Sequence, residues 1–184
     1  MKPFTASLLL LIGLLSGRAA DSIVVFNEIH YHPATNEAAN EWIELHNQMA
    51  IDIDLSAWSI TGNIGFIFAE GTIIPGGGYF VVASDPAALQ TSTGITNVLG
   101  PFTGRLNNAS GTVRLRDRND RLMDEMQYQD GGKWPAAPDG SGATLAKRDP
   151  DSASDAPGNW TSSVLAGGTP GARNFPAPAS ARAR

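Results

Sequence analysis

Apolar residues in this chain recur at every second position in short runs, and a turn signal closes each run. No window longer than about ten residues repeats its apolar side chains at the helical period of 3.6. Residues 23–33 (IVVFNEIHYHP) place Ile23, Val25, Asn27, Ile29 and Tyr31 against Val24, Phe26, Glu28, His30 and His32 until Pro33 stops the run. Residues 41–47 (EWIELHN), 58–61, 65–69 (GFIFA), 79–84 (YFVVAS) and 143–147 behave in the same way. Residues 112–117 and 121–129 flank the short polar loop Arg118-Asn119-Asp120, which reads as a β-hairpin. One helical turn is expected over residues 85–90, with Asp85 as N-cap and Pro86 in the first helical position. About seven to nine short strands at this spacing specify an all-β chain, a sandwich or barrel.

Composition fits many reversals. The chain has 20 Gly and 12 Pro in 184 residues. Together these make about 17%, above the usual ~12% and below the ~25–30% of low-complexity disorder. Charged residues are 17%, fewer than a coiled coil or a charge-rich disordered tail carries.

Residues 1–20 (MKPFTASLLLLIGLLSGRAA) read as a signal peptide: Lys2, an apolar run from Leu8 to Leu15, then small residues, with cleavage after Ala19 or Ala20. The run is shorter than the ~20 residues a membrane helix needs. Removing Lys2 and Arg18 moves the formal charge from −5 to −7, and no second membrane-length segment follows. A secreted, periplasmic or cell-surface location is expected. An acidic domain without a basic stripe is a poor partner for nucleic acid, because phosphate neutralisation supplies most of that affinity. There is no cysteine, which excludes disulfides, thiol nucleophiles and thiolate metal sites.

The runs and turns, taken in order, resemble the lamin-tail domain. The resemblance rests on residues 23–33, NEWIELHN at 40–47, DLSAWSITG at 54–62, FIFAEGTIIPGGG at 66–78, RLNNASGTVRLRD at 105–117 and DEMQY at 124–128. Trp160 and GTPGARN at 168–174 resemble the closing signature of secreted, prokaryotic-type members. The resemblance spans about residues 22–175 and implies an immunoglobulin-like β-sandwich that works as a non-catalytic module. It leaves residues 1–20 as the signal peptide and residues 176–184 as a Pro/Ala-rich tail or a linker to further domains. The matching positions are core and turn residues, so the resemblance transfers a fold and no ligand. The absence of a coiled-coil rod and the export signal set the nuclear filament role aside.

The residues themselves carry little chemistry. Gly140-Ser141-Gly142 lacks the Gly-x-Ser-x-Gly spacing, Glu28-Ile29-His30-Tyr31-His32 is not His-Glu-x-x-His, and Gly76-Gly77-Gly78 leads into a strand, whereas phosphate loops lead into a helix. No catalytic, cofactor-binding or metal residue is assigned, no cofactor is expected, and the chain reads as no enzyme. Two alternatives remain open. Glu28, His30 and His32 share one strand face, and Glu44 and His46 share another. If those strands pair, the His30/His32/Glu44 region would suit a zinc-dependent hydrolase. The opposing reading packs His32 beside Pro33 and leaves Glu28, His30 and Glu44 on a solvated face. The second alternative is a carbohydrate-binding module using an exposed Trp134, with Trp42, Trp58 and Trp160 as core anchors.

Asp52 and Asp54, and the loop Asp149, Asp151, Asp155, read as turn-forming residues or as Ca²⁺ ligands. Asn108-Ala109-Ser110 and Asn159-Trp160-Thr161 are glycosylation sequons. The leading expectation is a secreted interaction, adhesion or accessory module that binds a protein or cell-surface ligand.

Overall fold

The computed structural model describes residues 23–176, so the stretch expected to be a signal peptide, 1–20, and nearly all of the expected tail at 176–184 lie outside the described residues. Two sheets face each other. The first orders its strands β13-β12-β1-β2-β7-β8 and the second β11-β10-β4-β5-β9. In the first sheet these are β1 (Val24–His30), β2 (Trp42–Asn47), β7 (Tyr79–Ala83), β8 (Val98–Leu99), β12 (Leu145–Lys147) and β13 (Trp160–Ser162). In the second they are β4 (Ser59–Gly62), β5 (Ile64–Ile67), β9 (Thr103–Gly104), β10 (Ser110–Arg116) and β11 (Leu122–Gln129). A separate two-stranded ribbon joins β3 (Ile53–Asp54) to β6 (Ile73–Ile74). Nine of these strands have three or more residues, and every expected run contributes one. The immunoglobulin-like sandwich implied by the resemblance is therefore the architecture found.

The core between the sheets holds Val24, Phe26, Ile29 and Tyr31 of the first run, together with Ile43, Leu45, Ile60, Val82, Val113, Leu115 and Met126. This departs from the simple alternation expected for residues 23–32. Phe26 pairs with Leu45 and Glu28 with Glu44, so Asn27 is an extra residue in β1. Such a bulge shifts the period by one. It turns Val24 and Phe26 inward along with Ile29 and Tyr31, and leaves Glu28 and His30 on the outer face.

That outer face is covered. The helix α2 (Pro86–Thr93) lies over it, with Trp42, Val81, Ala83 and Leu89 forming a second small apolar cluster. The expected cap is present, since Asp85 accepts the Ala88 N–H at 3.0 Å and Gly94 closes the helix with φ 76°. The helix runs three residues past the expected end. A one-turn helix, α1 (Glu37–Asn40), follows Pro33 and was not legible from periodicity. The closing segment adds β13 to the sheet edge by pairing with β12 and then crosses the outer face. Among the described residues no helix is long and apolar enough to cross a membrane.

Candidate functional site

The centre of the first sheet's outer face carries two carboxylates. Glu28 and Glu44 are register partners on adjacent antiparallel strands, and both have 0% exposure. The bulge adds Asn27 beside them, whose Nδ2 donates to Glu44 Oε1 at 2.7 Å. Residues 163–174 form a strap across the pair. The Thr169 N–H and hydroxyl each reach Glu28 Oε2 at 3.1 Å, and the Gly171 N–H reaches Glu44 Oε2 at 2.5 Å. The Thr144 hydroxyl also donates to Glu28. Asn174 locks the end of the strap by donating to the carbonyls of Asn27 at 2.9 Å and Lys147 at 3.0 Å. Burial pushes Glu28 up to about 7, against the pull of its hydrogen bonds with Thr144 and Thr169. Glu44 lies well above the usual carboxylate range, chiefly through burial and then through the charge of Glu28.

Neither reading of the His/Glu group survives intact. Glu28, His30 and Glu44 are buried and line no solvated face. The reason is the strap and α2, which cover a face that the alternation alone leaves open. Nor do the histidines join the glutamates. His30 packs edge-on against Trp42 at 6.0 Å, and its Nε2 is buried without a hydrogen-bond partner. His32 lies past the strand end, bonded through Nδ1 to Asp139 and 3.1 Å from Glu37 through Nε2. His46 stacks on Tyr79 and contacts the Gly78 carbonyl at 3.1 Å. Among the described residues no three His, Asp or Glu side chains are grouped to hold a metal. Burial lowers His30 to about 4 and moves His46 in the same direction.

The sugar-binding alternative relied on an exposed Trp134. That indole is 7% exposed, tilted against Trp160 with ring centres 6.2 Å apart. Trp58 and Trp160 are in the main core and Trp42 in the outer cluster, as expected of anchors. Asp52 and Asp54 accept backbone N–H groups, of Gly76 at 3.0 Å and of Ser56 at 2.8 Å. Asp149 likewise accepts the Asp151 N–H at 3.1 Å.

The cation that the Asp149–Asp151–Asp155 loop faces is internal. Their charges are felt at Lys147, which is fully buried. Lys147 Nζ donates to the Ser152 carbonyl at 2.8 Å and to Ser154 Oγ at 2.9 Å, and lies 5.4 Å from the Trp160 ring centre. Ser154 Oγ donates to Asp124 Oδ2 at 2.6 Å, and that same oxygen accepts the Phe26 N–H at 2.8 Å. Burial lowers Lys147 to about 8 and raises Asp124. The sequence reading missed this group. Its signals were Asp124 at an inward position of an alternating run with Met126 and Tyr128, and Lys147 closing an apolar strand.

A shallow depression of about 350 Å³ lies at one end of the sandwich, lined by Glu37, Arg105, Leu106, Asn107, Asn108 and Ala109. Nearby, Glu41 accepts the Leu106 N–H at 2.9 Å and so holds the loop before β10. Large apolar side chains reach solvent at Met49, Ile51, Ile67, Ile73, Val164 and Leu165.

Comparison with protein families gives a match to the lamin tail domain over residues 18–130, more than half of the chain. No individual curated protein matches it. The matched region contains Glu28, Glu44 and Asp124. Lys147, Ser154 and the strap lie beyond it.

Proposed function

Because this chain belongs to the lamin tail domain family, we propose that it is a non-catalytic interaction module, exported by residues 1–20 and binding a protein or cell-surface ligand through its outer surface. The observation that carries this reading is the fate of the reactive side chains. Glu28, Glu44, Asp124, Lys147 and Ser154 are all buried and are spent on fastening the chain to itself. What faces solvent instead is loop and edge surface, including the isoleucines Ile51, Ile67 and Ile73. Exposed apolar side chains favour recognition by contact when they lie together. The acidic charge argues for a partner other than nucleic acid.

Three measurements test this. N-terminal sequencing of the extracellular or surface fraction should find chains starting at Ala20 or Asp21; a retained Met1 there would contradict export by cleavage. Panels of ester, phosphodiester and glycoside substrates should give no turnover, and turnover by the purified chain would overturn the non-catalytic reading. Ile51→Asp, Ile67→Asp and Ile73→Asp should keep the melting temperature and weaken binding to the surface of the producing cells. Unchanged binding in all three would place the docking surface elsewhere.

A further inference from the structure

The strap at 163–174 is held differently from the rest of the sandwich. None of its side chains belongs to either apolar cluster, and Val164 and Leu165 point to solvent. Its attachment to the outer face is polar, made by Thr169, Gly171 and Asn174 on Glu28, Glu44 and Asn27. Gly167 and Gly168, both with positive φ, sit just before these contacts, and Trp160 pins the chain upstream in the core. A segment that buries little apolar surface opens at lower free energy than the body of the fold.

The glutamates that hold it have no countercharge. Among the described residues neither forms an ion pair with a Lys, Arg or His. From β1 the groups nearest the pair are Asn27 and His30; from β2 they are Trp42 and His46. Strand β7 presents Val81 and Tyr79, and β12 presents Ala146, preceded by Thr144. The strap brings Thr169, Arg173 and Asn174, and the loop before β13 brings Asp151, 4.0 Å from His46. Burial favours the neutral form of both histidines, and Arg173 acts on His46 and Tyr79. Two opposed carboxylates in a water-poor site resist double ionisation.

We infer that Glu28 and Glu44 form an acid-closed latch: residues 163–174 stay seated while the pair retains a proton and lift from the sheet when both carboxylates ionise. The closed state binds more protons than the open one. Closure is therefore fully favoured below the ordinary glutamate value of 4.5 and weakens progressively as the pH rises to the titration of the pair, which burial places near 7 for Glu28. Opening would uncover the outer face of β1 and β2 without disturbing the core between the sheets.

Amide hydrogen exchange of the full chain, corrected for intrinsic rates and followed between about pH 5.5 and 8.5, tests this. The Thr169 and Gly171 amides should lose protection by about tenfold per pH unit as the pH rises toward the midpoint, the slope of one linked proton, and level off above it. Ile43 and Leu45 should keep theirs. Glu44→Gln should abolish the fall, as should Glu28→Gln. Protection that is independent of pH, that falls in step with Ile43 and Leu45, or that falls equally in both variants would overturn the latch. Carboxyl ¹³C titration of the unsubstituted chain decides the case if both variants misfold: two glutamates titrating above all others support it, and none doing so sinks it.

Discussion

Lys147 and Asp124, on strands of opposite sheets, meet through one hydroxyl. Ser154 Oγ accepts from Nζ at 2.9 Å and donates to Oδ2 at 2.6 Å. The same Asp124 oxygen accepts the Phe26 N–H at 2.8 Å, so the group also ties β11 to β1. In a sandwich with no cysteine, this polar bridge joins the sheets where a disulfide is absent.

Removing one end of that bridge should strand the other. Asp124→Ala leaves a buried ammonium and an unpaired Phe26 N–H, and should cost about 3–5 kcal/mol. Lys147→Met combined with Asp124→Leu should cost less than the sum of the two single changes, because no buried charge is left alone. Urea unfolding of the unsubstituted chain, Asp124→Ala, Asp124→Leu, Lys147→Met and the double variant measures this.

His30 should make the protein sensitive to acid. Burial lowers it from 6.5 to about 4, so the unfolded chain binds a proton that the folded one refuses. Stability from this residue is complete above about 6.5 and declines as the pH falls toward 4. Glu28, raised from 4.5 to about 7, acts in the opposite sense across an overlapping window. His30→Phe keeps a ring against Trp42 and removes the orphaned Nε2. It should raise stability at pH 4 by up to about 3 kcal/mol relative to its effect at pH 8. Thermal melts of both proteins across that range give the difference.

Two adjacent glycines should respond unequally to alanine. A Cβ on Gly167 meets nothing within 4 Å, so Gly167→Ala pays only for its positive φ, about 1–2 kcal/mol. A Cβ on Gly168 would stand 2.3 Å from Glu28 Oε1 and 2.7 Å from a Thr144 carbon. Gly168→Ala should therefore cost more and unseat the strap. Chemical denaturation gives the costs, and Gly171 amide exchange reports the strap.

The four indoles have exposures of 7% or less. Native fluorescence should be blue-shifted and resistant to acrylamide, shifting red only on unfolding. Trp134→Ala should cost about 3–5 kcal/mol as a core truncation.

Losing the Asp85 cap should loosen α2. Asp85→Ala removes the acceptor for the Ala88 N–H and should cost about 1 kcal/mol. Denaturation midpoints read it directly.

The sequence carried the strands well, because period-two alternation and turn residues are local properties. Asp85, Trp58 and the hairpin after Asp117 were legible for that reason. The faces of β1 were not. The bulge at Asn27 arises from pairing with β2, and nothing within residues 23–33 announces it. The residue pattern places Glu28 and Glu44 each on a strand face with histidines, but their mutual pairing depends on the bulge and their burial on residues more than 120 positions away. Single-strand patterning cannot show such a roof. Lys147 reads as a surface residue until Ser154 and Asp124 are brought to it.

The strap has a further consequence for how the molecule comes together. Glu28 waits for Thr169, 141 residues later, and Phe26 shares Asp124 with Ser154, 128 residues on. Contacts this distant in sequence make assembly slow, since loop closure must precede the contacts that reward it. A ribosome or translocation channel that has released only the first 130 residues has delivered every strand of the second sheet. The first sheet would still lack β12, β13 and the cover over its acidic pair. The family-matched region thus ends before the segments that complete the first sheet and roof its acidic pair.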